Sequence, residues 1–350
     1  MQTRDELFKK IRDDRPDIDD ADVINTWVDY LIQLKGCKLI SAISQDLNEA
    51  GWLAARVGGI GGSEIAAIMG ESPWNSPRQI WMKKTGQFAD SDSFQSEAAR
   101  WGNILETAVA TEWGKRNDRQ WVHIPVTLVS EEYPWMIANI DGFTLSDDRK
   151  KITGILEIKT TSAFNNDAWE EGPLPYYYIC QASWYCYITG QPQFDIVCLV
   201  GGQKLYAYQF PLDSALADRM LESGRNFWVK NVIGMTEPDI TAGDLDSMKA
   251  IEIDTDAEPI VLADDESELL VESYIQIRDK MGALKKVKEA IYAQLFDKMG
   301  NAPSALTQTR VMTLSLTNRR SCNMDMLECN YPEAYKECVS SKVSKSLRIK

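Results

Sequence analysis

The sequence predicts an α/β (α+β) fold in which a central mixed sheet is flanked by helices, and three observations point to it. Between residues 120 and 160 apolar residues recur with period two, as in half-buried strands. An aromatic segment, 175–189, ends at Gly190 in the manner of a helix. Two more apolar runs, 194–200 and 204–210, then follow, joined through Gly201-Gly202-Gln203. Strand, strand, helix, strand, strand in that order argues for a mixed sheet rather than a doubly wound parallel one.

A chain of 350 residues holds one large α/β domain or two small ones, and 44% hydrophobic with 26% charged residues is globular composition. Whole-chain disorder and a fibrous fold are excluded. The net charge of −14 argues against a general nucleic-acid coat or a basic membrane-surface protein. That charge is unevenly spread, because residues 235–272 hold thirteen acids and one base, Lys249, leaving −2 for the rest. No apolar run approaches the ~18–20 residues that span a bilayer, and acids stand where a signal peptide has its basic region. A soluble, cytoplasmic protein with no membrane partner is the expectation. Seven cysteines, at 37, 180, 186, 198, 322, 329 and 338, include no Cys-x-x-Cys pair and read as reduced packing residues. With one histidine, His123, a His-rich zinc site or a Ser-His-Asp triad has a single residue to rest on.

Taken in order, residues 1–50 read as a helical, accessory segment, with Leu7, Ile11, Val23, Trp27, Leu31 and Leu34 at three- and four-residue spacing. The core is expected over 51–233. Near its start the loop 57–63 opens onto a helix 64–69, with Ser63 as the N-cap and Gly70 as the stop. A helix near 96–116 carries Trp101, Leu105, Val109 and Trp113, and a polar turn at 146–150 separates two apolar strands. After a helix around 213–233 come an acidic linker, 234–263, and a C-terminal segment, 264–350. The latter consists of an amphipathic helix to 299 and a basic tail, 303–350, in which Arg310, Arg319, Arg320, Lys336, Lys342 and Lys345 help outnumber four acids.

Three carboxylates and a lysine stand out from their settings. In Ile155-Leu156-Glu157-Ile158-Lys159 the period of two puts Glu157 and Lys159 on one sheet face and Leu156 and Ile158 on the other. Folding this strand onto 136–142 as a hairpin about residue 149 places Asp141 opposite Glu157. Two carboxylates at that separation repel unless a cation lies between them, and their hard oxygens suit magnesium or manganese. Glu106 falls in the apolar stripe of its helix, beside Gly102, Val109, Ala110 and Trp113. Each also has a plainer reading: a local salt bridge for Glu106, a sheet-edge ion pair for Glu157 and Lys159, and a turn residue before Gly142 for Asp141.

The order Glu, Asp, then Glu-x-Lys on a hairpin is the active-site pattern of the PD-(D/E)XK nucleases, with Ile140 standing where the usual Pro precedes the Asp. More closely, the segment from Trp52 to Trp228 resembles the YqaJ-type viral recombinase family, relatives of lambda exonuclease. The resemblance is carried by Arg56, by Gly59 through Gly70, by Ser72-Pro73-Trp74-Asn75-Ser76-Pro77, and by Arg100-Trp101-Gly102 leading to Glu106. It continues through Asp141-Gly142, Leu156 through Ser162, Gln181 and the Gly201-Gly202 turn. The tail from Val311 through Tyr331-Pro332-Glu333 to Lys350 resembles the family's C-terminal extension. One departure is on the helix of Gln181, where the family's Gln-x-Gln-His-Gln is replaced after Gln181 by Ser183, Trp184 and Tyr185.

The resemblance implies a restriction-endonuclease-like core and a Mg²⁺-dependent exonuclease, with Mn²⁺ as a substitute, that degrades one strand of duplex DNA from its 5′ end. It assigns Glu106, Asp141, Glu157 and the Ile158 carbonyl to the metal, and Lys159 and Gln181 to the attacking water and the phosphate. For Gln181 a buried hydrogen bond to the helix is the alternative. Arg56 and Ser63 are assigned to the 5′-terminal phosphate, where free N–H groups at a helix N-terminus suit an anion. The implied partners are duplex DNA with a 5′-phosphorylated end, a single-strand annealing protein that receives the 3′ tails, and further copies in a toroidal homo-oligomer, a trimer before a tetramer. An endonuclease on the same site and a non-catalytic DNA-binding assembly module are the alternatives. Cys322, Cys329 and Cys338 lack the spacing for an iron–sulfur cluster, and none is expected.

Overall fold

Thr3 opens the first helix with a reciprocal cap: its hydroxyl accepts the Glu6 amide at 3.3 Å, and the Glu6 carboxylate accepts the Thr3 amide at 2.8 Å. The helix that follows is α1 (Arg4–Asp14). In the computed structural model, the described residues are 2–17, 21–41, 57–87, 96–170, 172–250, 258–316, 318, 321–340 and 349. They form two compact units, Met1–Asp246 and Ser247–Lys350.

Where the sequence suggests an accessory helical segment, the first unit instead builds its beginning into the core. Helix α2 (Ala21–Gln33) is followed by a strand, β1 (Cys37–Ser41), which pairs antiparallel with β3 (Thr127–Ser130). Strand β3 pairs in turn with β4 (Ile137–Asn139) to complete a three-stranded sheet. Leu7, Ile11, Ile24 and Val28 lie in the same buried cluster as the sheet residues Phe143 and Ile155. Five residues of strand paired some ninety positions away leave little local signal, and the helical spacing before them dominates the reading.

The second sheet has five strands in the order β2-β5-β6-β7-β8: β2 (Gln120–Val122), β5 (Gly142–Leu145), β6 (Ile152–Thr161), β7 (Gln193–Val200) and β8 (Lys204–Pro211). It is mixed, since β6 and β7 run parallel while every other neighbouring pair is antiparallel. Between β6 and β7 the chain crosses over through α6 (Tyr176–Thr189), which stops where Gly190 turns left-handed at φ 67°. Helix α5 (Glu97–Asn117) covers the opposite face, where Val109, Ala110 and Trp113 pack with Leu156, Ile158 and Val197. Ile155, Phe194 and Ile196 belong to the cluster that contains α6. One helix layer therefore lies on each face, which is the mixed, helix-flanked sheet expected from the sequence.

The glycine-dense loop leads into α3 (Gly62–Ile68), and here the expected start is corrected by two residues. Gly61, not Ser63, is the N-cap, with its amide satisfied by the Glu64 carboxylate at 2.8 Å. Ser63 lies inside the first turn and is exposed. Helix α4 (Pro77–Lys84) follows, capped by Ser76. After α7 (Ser214–Asn226) a π-helical stretch, Phe227–Ile233, continues the same segment. In the second unit, Asp264 caps α8 (Asp265–Met299) by accepting the Ser267 amide at 2.8 Å. A hairpin of β9 (Ser304–Leu306) and β10 (Val311–Thr313) comes after it. Of the basic tail residues, Arg319, Arg320, Lys342 and Lys345 lie outside the described residues. No described helix is long and apolar enough to cross a membrane.

Candidate active site

The hairpin of β5 and β6 pairs Gly142 with Leu156, Phe143 with Ile155 and Thr144 with Gly154, which is the register expected from folding about residue 149. Asp141 stands one residue before the first of these pairs, and its carboxylate Oδ2 accepts the Ile158 amide at 2.8 Å. That bond caps the ladder where β5 begins and holds Asp141 against the strand carrying Glu157. The N-terminal helices brace the far end of the same hairpin. Gln33 of α2 donates to the Lys150 carbonyl at 2.8 Å and accepts the Ile152 amide at 3.1 Å, and the Tyr30 hydroxyl donates to the Arg149 carbonyl.

Glu157 is completely buried. One of its oxygens, Oε1, pairs with the Lys159 ammonium, and the other, Oε2, has no hydrogen-bond partner. Burial pushes the Glu157 carboxyl up, Asp141 pushes it further, and Lys159 opposes both. For Lys159 burial alone lowers the ammonium, but Glu157 and Asp141 outweigh it and hold it cationic. The Lys159 Nζ also lies 5.1 Å from the centre of the Tyr178 ring. Gln181 on α6 stands beside the Glu157 carboxyl and donates to the Tyr185 hydroxyl at 3.3 Å. Burial, then the charges of Glu157 and Asp141, keep that phenol protonated.

Packing fixes where Gln181 and Tyr185 sit. A Cβ added at Gly62 would lie 2.6 Å from Tyr185 Cε1 and 3.0 Å from Gln181 Cγ, so only glycine allows α3 this close to α6. Trp184, between them on α6, points its indole N–H at the carbonyls of Ile60 (3.1 Å) and Ile137 (3.2 Å). Beside them opens a cleft of about 370 Å³, whose lining includes Ser63, Trp74, Lys84, Tyr178 and Gln181. Within it, the buried Lys84 ammonium pairs with Glu64 at 2.8 Å.

The structure thus brings together Asp141, Glu157, the backbone of Ile158, Lys159 and Gln181, and sets Ser63 in the adjoining cleft. Glu106 is half-buried on α5, the helix covering the Leu156 and Ile158 face, one turn before Val109. Among the described residues no three of His, Cys, Asp and Glu stand close enough to share a cation, so Asp141 and Glu157 form a pair rather than a trio with Glu106. Arg56 lies outside the described residues.

Four neighbours escape sequence reading. His123, directly after β2, has Nδ1 2.8 Å from the Asp141 carbonyl, so in that tautomer its N–H donates there. Extending the β2–β5 register, in which Val122 faces Phe143, is the signal that finds it. The Glu64–Lys84 pair and the ring of Tyr178 come from elements distant in sequence and leave no local signal.

The donor chemistry fits a hard divalent cation: two adjacent carboxylates, one with a buried and unpartnered oxygen, need positive charge that a single lysine does not fully supply. Residues 51–192 match the family model of the YqaJ-like viral recombinase domain. Over 268 residues the chain is 29% identical to the uncharacterized protein YqaJ of Bacillus subtilis (strain 168), which covers 75% of this chain and 82% of that protein. Among solved structures, the alkaline exonuclease LHK-Exo of Laribacter hongkongensis is similar at 17% identity and a TM-score of 0.42, over 53% of this chain and 93% of that one. A phage-related exonuclease from Haemophilus somnus 129PT is similar at 14% identity and a TM-score of 0.33, over 51% and 96% of the two chains. The similarity over residues 51–192 is therefore to the YqaJ-like viral recombinase domain.

Proposed function

We propose that the chain is a Mg²⁺-dependent nuclease that degrades one strand of duplex DNA in the 5′-to-3′ direction from a 5′-phosphorylated end. The observation that carries this reading is the buried Glu157 carboxyl, with one oxygen unpartnered, beside Asp141 and Lys159. A structural ion pair would be cheaper with both oxygens satisfied and no second carboxylate nearby.

Asp141, Glu157 and the Ile158 carbonyl are the groups proposed to hold the ion, with Mn²⁺ as a substitute; Glu106, the third carboxylate of the family pattern, does not stand close enough to share it in this structure. A magnesium ion bound by these groups would supply Lewis-acid polarisation of the scissile phosphate and a lowered pKa for water. Lys159, held cationic, is suited to donate to a water or a phosphate oxygen and to offset negative charge as the phosphorus is attacked. In that cationic form it acts through orientation and charge. Gln181, fixed from behind by Gly62 and Tyr185, offers a neutral amide to the water or the phosphate.

The adjoining cleft, with Ser63 and Lys84 in its lining, supports a seat for the 5′-terminal phosphate; Arg56, which the family resemblance assigns to the same phosphate, lies outside the described residues. The products would be 3′ single-stranded tails for a single-strand annealing protein. A toroidal homo-oligomer, a trimer before a tetramer, is the assembly that the family resemblance favours.

The test is a linear duplex labelled at one 5′ end, compared with a closed circle, in Mg²⁺ and in EDTA. Early release of the 5′ label, no cutting of circles and no reaction in EDTA are expected. Cutting of circles would make it an endonuclease, prior release of a 3′ label would reverse the polarity, and inertness in both Mg²⁺ and Mn²⁺ would leave a binding module.

A further inference from the structure

Helix α8 of the second unit is 35 residues long, and of its residues Met299 is the buried one. Leu270, Tyr274, Ile277, Met281 and Leu284 recur at spacings of four and three, the 3.5-residue repeat that keeps one apolar seam facing a partner helix. All five are exposed, by between 48 and 67%. Lys288 occupies the next seam position and ends the uninterrupted stretch. Charge is segregated along the same helix: residues 264–272 hold five acids and no base, while residues 278–288 hold five bases and one acid, Asp279.

Such a seam suits a second helix, and the charge pattern specifies which. We infer that α8 pairs antiparallel with α8 of a second copy of this chain, about a two-fold axis between Ile275 and Gln276. Turning a copy end for end about that axis lays the acidic stretch of each helix along the basic stretch of the other. Leu270 then faces the partner's Met281, Tyr274 faces the partner's Ile277, and Glu266 flanks the partner's Lys280. Lys288 falls beyond the overlap, so no charge enters the seam. A parallel pair would instead stack Lys288 on itself and run base beside base, which costs stability on both counts. The self-complementary patch is the kind that closes a two-fold contact, separate from the contacts that would build the proposed toroid.

The test uses the full chain with Cys322→Ser, Cys329→Ser and Cys338→Ser, the three exposed cysteines, as background. Leu270→Cys and Met281→Cys are made separately, oxidised alone and oxidised after mixing. Antiparallel pairing gives a cross-linked dimer on mixing the two and loss of that product in either alone. Self-cross-linking of each variant would mean parallel pairing and overturn the inference. Independently, Ile277→Lys with Leu284→Lys is expected to abolish the association step seen by light scattering, with the circular-dichroism spectrum unchanged. An unaltered mass, or a wild-type chain that is monomeric with α8 held by its own first unit or by another protein, would overturn it as well.

Discussion

The Asp141 carboxylate accepts the Ile158 amide at 2.8 Å, so a side chain replaces the next rung of the β5–β6 ladder where that ladder stops. The geometry is set by backbone: whatever fixes β6 fixes Asp141, and Glu157 is the residue immediately before Ile158. Two carboxylates are thereby kept adjacent against their own repulsion. The cost falls on a buried Glu157 whose ionised form is disfavoured by burial and by Asp141. Sites that tolerate such a cost are commonly functional ones.

If α3 positions α6, the two glycines at its start should differ sharply. Gly62→Ala drives a methyl into Tyr185 and Gln181, whereas at Gly61 the nearest atom is Glu64 Oε2 at 3.7 Å. Gly62→Ala is expected to lose about 1–3 kcal/mol of stability, as overpacking does, and most of the nuclease activity. Gly61→Ala should keep both. Urea unfolding alongside initial rates checks this, and equal behaviour of the two would contradict the packing argument.

His123 reaches the Asp141 carbonyl from just beyond the neighbouring strand β2 and is not one of the residues that line the cleft. It is a positioning residue. Replacing it with Phe removes the donor, and losing one hydrogen bond of about 1–1.5 kcal/mol corresponds to roughly tenfold in rate if all of it is felt at the transition state. The drop should appear in kcat with KM for DNA unchanged, and His123→Asn, which can still donate, should recover part of it. A change confined to KM would argue for direct DNA contact instead.

The Glu64–Lys84 pair is buried on both sides, with side chains 8% and 2% exposed. Breaking one partner leaves an uncompensated charge, so Lys84→Met should destabilise by about 3–5 kcal/mol. Adding Glu64→Gln to that variant should restore most of the loss, because no lone charge remains. Additive losses in a double-mutant cycle would show that the two residues do not act as a pair.

Thiol chemistry offers an independent check of the core. Burial pushes Cys37 up to about 12, Cys180 to about 11 and Cys198 to about 12, and raises Cys186 too, while Cys322, Cys329 and Cys338 are exposed. A thiol-exchange reagent should therefore modify three cysteines quickly in the native protein and all seven in denaturant. The sign of the linkage follows: the folded state keeps its protons longer, so these groups lower stability as pH rises above the unfolded thiol value near 8.5. Fast labelling of the buried four at pH 8 would contradict the fold.

Much of the site is legible in the sequence because it is local. The alternation around Glu157 and the hairpin pairing with Asp141 follow from a period of two and one turn, and the structure has that register. The stripe on α5 likewise puts Val109, Ala110 and Trp113 inside. What escapes is non-local. Strand β1 finds β3 across most of a hundred residues, Lys84 finds Glu64 from another helix, and His123 becomes relevant only once β2 is seated beside β5. The cap at Gly61 is missed for a different reason: Glu64 satisfies its amide, so Ser63, the better capping residue by type, is not needed.

The most direct measurement is the rate of 5′-nucleotide release from linear duplex in Mg²⁺ by wild type, Asp141→Asn and Glu157→Gln, with thermal unfolding of the same samples. Both variants should lose roughly two to three orders of magnitude or more in rate, the scale of removing a group that stabilises the transition state. The unfolding temperature of Asp141→Asn should be unchanged or higher, since it relieves repulsion between two adjacent carboxylates, while Glu157→Gln, which also removes the partner of Lys159, should remain folded at the assay temperature. Wild-type rates in both variants would contradict the assignment of this pair as the catalytic centre.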